Sequence, residues 1–217
     1  MPANADQSKL TQYVPPSAQH ILDCACGDGT RGKVLKERGA KFVAGVETNA
    51  ELAKTAAQSL DQVVHGTLED TPLSFDNDAF DCILCDNVLA TVHDAAPPLE
   101  LLGTLLAPGG ILIVTVPNIQ YHKTVQMLLE GRWDYTGEGI MSHHHLRYFT
   151  AYEILNLLRS TGYQPQKCGV LVQDAASSLP LDKDQCITLG NATIGPLTKD
   201  EHLAYLTQQY ILFATRT

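Results

Sequence analysis

From Gln19 onward, short apolar runs alternate with segments whose apolar residues recur at helical spacing. The runs at 21–24, 42–46, 63–65, 80–85 and 111–116 are rich in Val, Ile, Leu and Phe and predict strands. Helices are predicted between them at 31–38, 49–60 and 97–106. This alternation predicts an α/β fold with a parallel sheet covered by helices on both faces. After Pro117 and Asn118 the spacing of Val125, Leu128 and Leu129 predicts a helix over 119–131. Residues 133–148 then form an aromatic, His-rich stretch without periodicity. Thr150 and Glu153 have capping-box spacing ahead of a helix that Gly162 ends, and Thr198 and Glu201 repeat the device over 198–208. Strands at 167–172 and 209–215 complete a seven-stranded sheet, with 174–196 as a loop insertion.

At 217 residues the chain suits a single domain with an adequate core. An arm or a short helix that would cover the ligand pocket is expected over 1–18. No apolar run is long enough to span a bilayer, and 1–13 lacks the basic start and apolar middle of a signal peptide, so a cytoplasmic protein is expected. A net charge of -9 argues against a nucleic-acid partner, which needs a basic surface. Cys24, Cys26, Cys82 and Cys85 invite a metal or disulfide reading. Free cysteine more often behaves as a small buried hydrophobe. Cys82 and Cys85, three apart on a strand, face opposite sides, so no metal is expected there.

The first strand runs into Asp23-Cys24-Ala25-Cys26-Gly27-Asp28-Gly29-Thr30. Small residues there let main chain approach a ligand, and glycine permits positive φ. Ala25 keeps the space small and gives up the φ freedom, which is free of strain only where the backbone has an ordinary φ. Glu47 ends the second strand, at the position where open parallel sheets set an acid against a ribose. Glu69 and Asp70 follow the third strand, and Asp86 and Asn87 end the fourth.

This order of segments resembles class I S-adenosylmethionine-dependent methyltransferases, whose usual loop is Asp-x-Gly-x-Gly-x-Gly. Leu106-Ala107-Pro108-Gly109-Gly110 before the fifth strand is similar to the same pattern. The resemblance implies a Rossmann-like, doubly wound, seven-stranded sheet with its last strand antiparallel, and S-adenosyl-L-methionine as cofactor. It further implies a cofactor shell of Asp23, Ala25, Gly27, Gly29, Glu47, Thr48, Thr67, Leu68, Glu69, Asp86 and Asn87. Glu47 would receive the ribose hydroxyls, Leu68 and Glu69 the adenine, and Asp86 with Asn87 the methionine end.

The segment from Gly131-Arg132-Trp133-Asp134-Tyr135 to His145-Leu146-Arg147-Tyr148-Phe149-Thr150 resembles the Trp-x-Tyr…His-Leu-Arg-Phe-Phe-Thr stretch of a bacterial subgroup often found with sugar or secondary-metabolite pathways. It implies an acceptor-side insertion over 119–149, with Trp133, Tyr135, Asn118 and Arg147 toward a small-molecule acceptor. His145, with His144 beside it, matches a candidate base for a hydroxyl, and a loop histidine equally often serves its own backbone. Where many relatives carry Leu-Glu-His-Val after the fourth strand, this chain has Leu89-Ala90-Thr91-Val92, which gives no support to a metal-dependent catechol mechanism. Asp86-Asn87-Val88-Leu89 also lacks the Asn/Asp-Pro-Pro-Tyr loop of many amino-group methyltransferases. O-methylation of a small hydroxylated molecule is therefore expected, with nitrogen and carbon acceptors left open. Two rivals stay open: a methyltransferase fold that binds without turnover, and a NAD-dependent oxidoreductase, since Gly27, Gly29 and Gly32 also have Gly-x-Gly-x-x-Gly spacing.

Overall fold

The computed structural model describes residues 7–217. Seven strands form one sheet: β1 (His20–Cys24), β2 (Phe42–Glu47), β3 (Gln62–His65), β4 (Phe80–Asp86), β5 (Leu106–Pro117), β6 (Tyr163–Gln173) and, last in the chain, β9 (Thr207–Arg216). Their spatial order is β3-β2-β1-β4-β5-β9-β6. The pairs β1 with β2, β1 with β4, β2 with β3 and β4 with β5 are parallel, whereas β9 runs antiparallel to both β5 and β6. The order in which strands are added switches from one side of β1 to the other at β4, and the loops at the carboxyl ends of these two parallel strands define the crevice where such sheets bind ligands.

Strand alternation explains the two faces. Leu22, Cys24, Ile83, Cys85, Leu112 and Val114 pack on one side with Leu99 and Leu102 of α3 (Ala96–Leu105) and Ile154 and Leu158 of α5 (Ala151–Ser160). Ile21, Val43, Cys82, Leu84 and Ile113 pack on the other with Leu35 of α1 (Thr30–Glu37) and Ala56 of α2 (Ala50–Ala56). Cys82 and Cys85 thus lie on opposite faces, as their spacing requires. All six cysteines are free thiols, four of them buried. Among the described residues, no helix is long and apolar enough to cross a membrane.

Three expectations change. The arm over 1–18 begins outside the described residues. Its described part holds a 3-10 turn, Gln7–Tyr13, followed by chain that packs Leu10 and Val14 against Leu35, while Arg38 at the end of α1 donates to the carbonyls of Thr11 and Val14. It therefore covers the helix end remote from the 25–29 loop. The 174–196 segment is no plain loop: β7 (Ile187–Leu189) and β8 (Ala192–Ile194) form a hairpin whose Ile187 and Leu189 bury with Leu179 and Leu206. Strands this short carry too little alternation to be seen in sequence. Helix α4 (His122–Leu129) is also shorter than the expected 119–131, because Asn118 and Tyr121 are used in the turn that precedes it. At α6 (Lys199–Leu206) the Thr198–Glu201 capping box is complete, while at α5 only the Thr150 hydroxyl half is formed.

Candidate functional site

The loop between β1 and α1 is held from below by β2. The amides of Ala25 and Cys26 both donate to the Val46 carbonyl, at 2.8 and 3.0 Å. The Gly27 amide donates to Glu47 Oε2 at 2.9 Å. Three residues of the loop take left-handed backbone: Gly27 at φ 60°, Gly29 at φ 84°, and Ala25 at φ 65°. The alanine therefore occupies a conformation that glycine adopts freely and an L side chain pays for. Close packing also holds the loop's underside: a Cβ on Gly45 of β2 would stand 2.4 Å from Cys26 Sγ.

Glu47 is buried at the end of β2. Its other oxygen accepts from the Asn49 amide at 2.8 Å and, more weakly, from the Thr48 hydroxyl at 3.4 Å. Asn49 in turn caps α2, its side chain accepting from the amides of Glu51 and Leu52. The carboxylate thus ties the loop, the strand end and the next helix together. Each carboxylate oxygen has two acceptor positions, so capacity for further donors remains.

Arg31 was not singled out by sequence reasoning, yet it organises the floor of the site. It is 2% exposed, and Asp23 is fully buried. Arg31 Nε lies 2.9 Å from Asp23 Oδ2, Nη1 lies 2.9 Å from Asp86 Oδ2, and Nη2 donates to the Ala25 carbonyl at 3.3 Å. Asp86 Oδ1 accepts from the Thr115 hydroxyl at 2.6 Å. Asp23 Oδ1 has no partner among the described residues. Burial pushes the Asp23 carboxyl up to about 6 in spite of Arg31, whereas for Arg31 the two carboxylates outweigh burial and raise it. Asp23 therefore faces Arg31 and not the open crevice, which corrects its expected place in the cofactor shell. The available signal for Arg31 was the buried acid itself, since an aspartate inside a strand needs a cation nearby.

Asn87 is left-handed at φ 57° and donates its amide to Thr115, and its Oδ1 accepts from Gln209 Nε2 at 3.0 Å. Leu68 is buried, and the Thr67 hydroxyl accepts from the Asp70 amide. Glu69 departs from expectation: Oε1 accepts from the amides of His93 and Asp94 at 2.8 and 3.0 Å, so its side chain braces the turn after β4. Although desolvation works the other way, those bonds hold its carboxyl below the usual range.

On the acceptor side, Trp133 and Tyr135 are 39% and 50% exposed. Trp133 meets Tyr148 edge-on at 5.4 Å, and Tyr135 stacks on His143 at 6.0 Å. His145 turns Nδ1 to the Ile140 carbonyl at 2.9 Å, a bond within its own loop, and His144 is exposed. Arg147 donates to the His93 carbonyl, gripping the same turn that Glu69 braces. Asn118 is fully buried; its Nδ2 donates to the carbonyls of Ala204 and Thr207, both at 2.8 Å. It fastens β5 to the start of β9 and is not presented to an acceptor, contrary to expectation.

A sheet of this order with one antiparallel strand, a small-residue loop after β1 and a buried acid ending β2 define the class I methyltransferase fold. The family model for the methyltransferase domain matches residues 5–167, and the chain belongs to that family. The family and fold imply S-adenosylmethionine as cofactor. Among curated relatives, the ubiquinone biosynthesis O-methyltransferase of Aeromonas salmonicida (strain A449) is 25% identical over 149 residues, 66% of this chain and 62% of that enzyme, so the match spans less than two thirds of the relative's length. The protein of the same name from Cereibacter sphaeroides is 23% identical over 86% of this chain and 78% of its own. A demethylmenaquinone methyltransferase of Clavibacter sepedonicus is 31% identical over 46% of this chain and 42% of its own. Among solved structures, a methyltransferase from Thermotoga maritima, described as a possible histamine N-methyltransferase, superposes with a TM-score of 0.65 at 18% identity, covering 98% of this chain and 88% of its own. One from Archaeoglobus fulgidus reaches 0.69 at 14% identity, covering 96% and 91%. These two share the fold.

Proposed function

We propose that the protein transfers a methyl group from S-adenosylmethionine to a hydroxyl oxygen of a small molecule. The observation that carries this reading is Glu47: a buried carboxylate at the end of β2, fixed by the Gly27 and Asn49 amides and still able to accept. The cofactor's ribose hydroxyls and ammonium are donors, and Glu47 with Asp86 and the Asn87 carbonyl oxygen are acceptors, so the donor set fits. Main chain from Ala25 to Gly29, Glu47 and Thr48 would hold the ribose and the centre of the molecule. Thr67 and Leu68 would line the adenine, and Asp86 with Asn87 the methionine end. Asp23 acts behind them through Arg31.

Bound there, the sulfonium supplies an electrophilic methyl group. The chain's own contribution is to hold the acceptor oxygen in line, exclude water and accept the hydroxyl proton. Trp133 and Tyr135 offer exposed aromatic faces for a planar or sugar-like acceptor. His144 and His145 are assigned to the rim of that loop, and Arg147 to its anchoring. The relatives named as ubiquinone O-methyltransferases and a demethylmenaquinone methyltransferase support a small-molecule acceptor. The net charge of -9 supports a small molecule over nucleic acid, and free thiols throughout suit a cytoplasmic protein.

Calorimetric titration with S-adenosylhomocysteine tests the donor. Wild type is expected to bind at micromolar concentration, Glu47→Ala at least about tenfold more weakly, because charge-assisted bonds of this kind contribute about 1.5–3 kcal/mol, with Glu47→Gln between them. Equal affinity in wild type and Glu47→Ala would overturn the reading, and binding of NADH in its place would favour an oxidoreductase. Binding of S-adenosylmethionine with no turnover over a panel of phenols and sugars would favour a non-catalytic binding protein.

A further inference from the structure

Beside the edge formed by β5, β9 and β6, four side chains converge on one carboxylate that the cofactor reading leaves unused. Asp174, directly after β6, accepts from the Tyr121 hydroxyl at 2.7 Å and stands 3.2 Å from His122 Nε2, both on Oδ2. Gln208 Nε2 donates to Oδ1 at 2.6 Å, and Lys123 Nζ lies 3.5 Å from Oδ2. Tyr121 packs edge-on against the His122 ring at 4.6 Å. These groups come from the start of α4, the end of β6 and the start of β9, and they meet only in the folded chain.

We infer that His122, oriented by Asp174, accepts the proton of the acceptor hydroxyl in the reaction proposed above. The inference rests on that reading. An ionised carboxylate only accepts hydrogen bonds, so the Nε2 that faces Asp174 carries hydrogen and the neutral ring keeps its lone pair on Nδ1. Asp174 stays ionised: burial works against it, but the Tyr121, His122 and Gln208 bonds hold its carboxyl at about 2. The His122 side chain is 7% exposed, shielded from bulk water without being sealed. The cluster is tied to the proposed methionine end of the cofactor through the main chain of β9: Gln208 holds Asp174, and its neighbour Gln209 donates to Asn87 from the opposite face of the strand. In the step, the acceptor O–H bond breaks, its proton forms an N–H bond at Nδ1, and its electron pair stays on oxygen for the new bond to the methyl carbon, whose bond to sulfur would break with its pair left on the departing S-adenosylhomocysteine. The imidazolium is then stabilised by Asp174, whose Oδ2 also accepts from Tyr121 and stands 3.5 Å from Lys123 Nζ.

The test uses the full chain carrying ring-labelled histidine, saturated with S-adenosylhomocysteine, with the His122 resonance assigned from His122→Gln. Catechol and methyl glucoside are added separately as phenolic and sugar probes. The His122 signal is expected to move with at least one probe, and the response is expected to be lost in Asp174→Asn, while both variants bind S-adenosylhomocysteine within about twofold of wild type. A His122 signal unmoved by both probes overturns the assignment, whether or not another histidine responds. Failure of wild type to bind S-adenosylhomocysteine sinks the methyltransferase reading instead, which the calorimetric arm reads separately. For whichever probe is methylated, His122→Gln is expected to lower kcat at least about a hundredfold, the scale of general-base catalysis.

Discussion

Arg31 Nε stands 2.9 Å from Asp23 Oδ2 beneath the β1 loop, in an ion pair almost closed to solvent. The same guanidinium reaches Asp86 on β4, so one side chain from the first turn of α1 joins the ends of the two strands that flank the crevice. Removing the cation strands a buried charge. Arg31→Met is expected to destabilise the fold by about 3–5 kcal/mol, read as a fall in the urea midpoint. A loss below about 1 kcal/mol would show that the pair contributes little.

Asp23 gives that pair a pH signature. Its carboxyl sits at about 6 in the folded chain against 3.8 as the ordinary value, because burial outweighs Arg31. The folded state therefore holds this proton more tightly than the unfolded state. Its contribution is full below the ordinary value and is lost as pH rises through about 6. Relative to Asp23→Asn, wild type should lose stability between pH 4 and 6, as urea titrations across that window would show. A parallel pair of curves would contradict the assignment.

Ala25 sits at φ 65°, where an L residue costs roughly 1–2 kcal/mol. Ala25→Gly relieves that strain and returns about 0.4–1 kcal/mol to the entropy of the unfolded chain. A net gain of about 0.5–1 kcal/mol is expected, visible as a rise in Tm, with S-adenosylhomocysteine affinity equal or tighter. A lower Tm would mean that the alanine methyl packs usefully in the loop.

Gly45 lies beneath the same loop. Its Cβ would stand 2.4 Å from Cys26 Sγ and 2.9 Å from Leu60 Cδ1, so neither neighbour has room without moving. Gly45→Ala is expected to cost about 1–3 kcal/mol by overpacking and to weaken S-adenosylhomocysteine binding through displacement of 25–27. Gly45→Ala combined with Cys26→Ala should recover much of both losses, measured by urea unfolding and calorimetry.

The strands near the crevice were legible because each is a compact apolar run with an acid at or just beyond its end, and parallel pairing brings those ends to one edge of the sheet. Glu47 and Asp86 were found this way. Glu69 ends such a segment too, yet its carboxylate is taken by the His93 and Asp94 amides, partners 24 and 25 residues away that no local pattern announces. Asn118 looked like a strand-end polar residue available to a ligand, and two carbonyls from the far end of the chain take its amide instead. Arg31 was not singled out because helix periodicity does not show which charged position will turn inward toward a buried acid.

Read alone, the chain determined its α/β alternation, the small-residue loop and the acids at strand ends, because these depend on residues close in sequence and on the two- and 3.6-residue periods of backbone geometry. Only tertiary structure decided that Arg31 would bridge Asp23 and Asp86, that Ala25 would be left-handed, and that Tyr121, His122, Asp174 and Gln208 would meet. Polar partners find each other across the fold through burial, and a buried charge or amide takes whichever complement packing brings within reach.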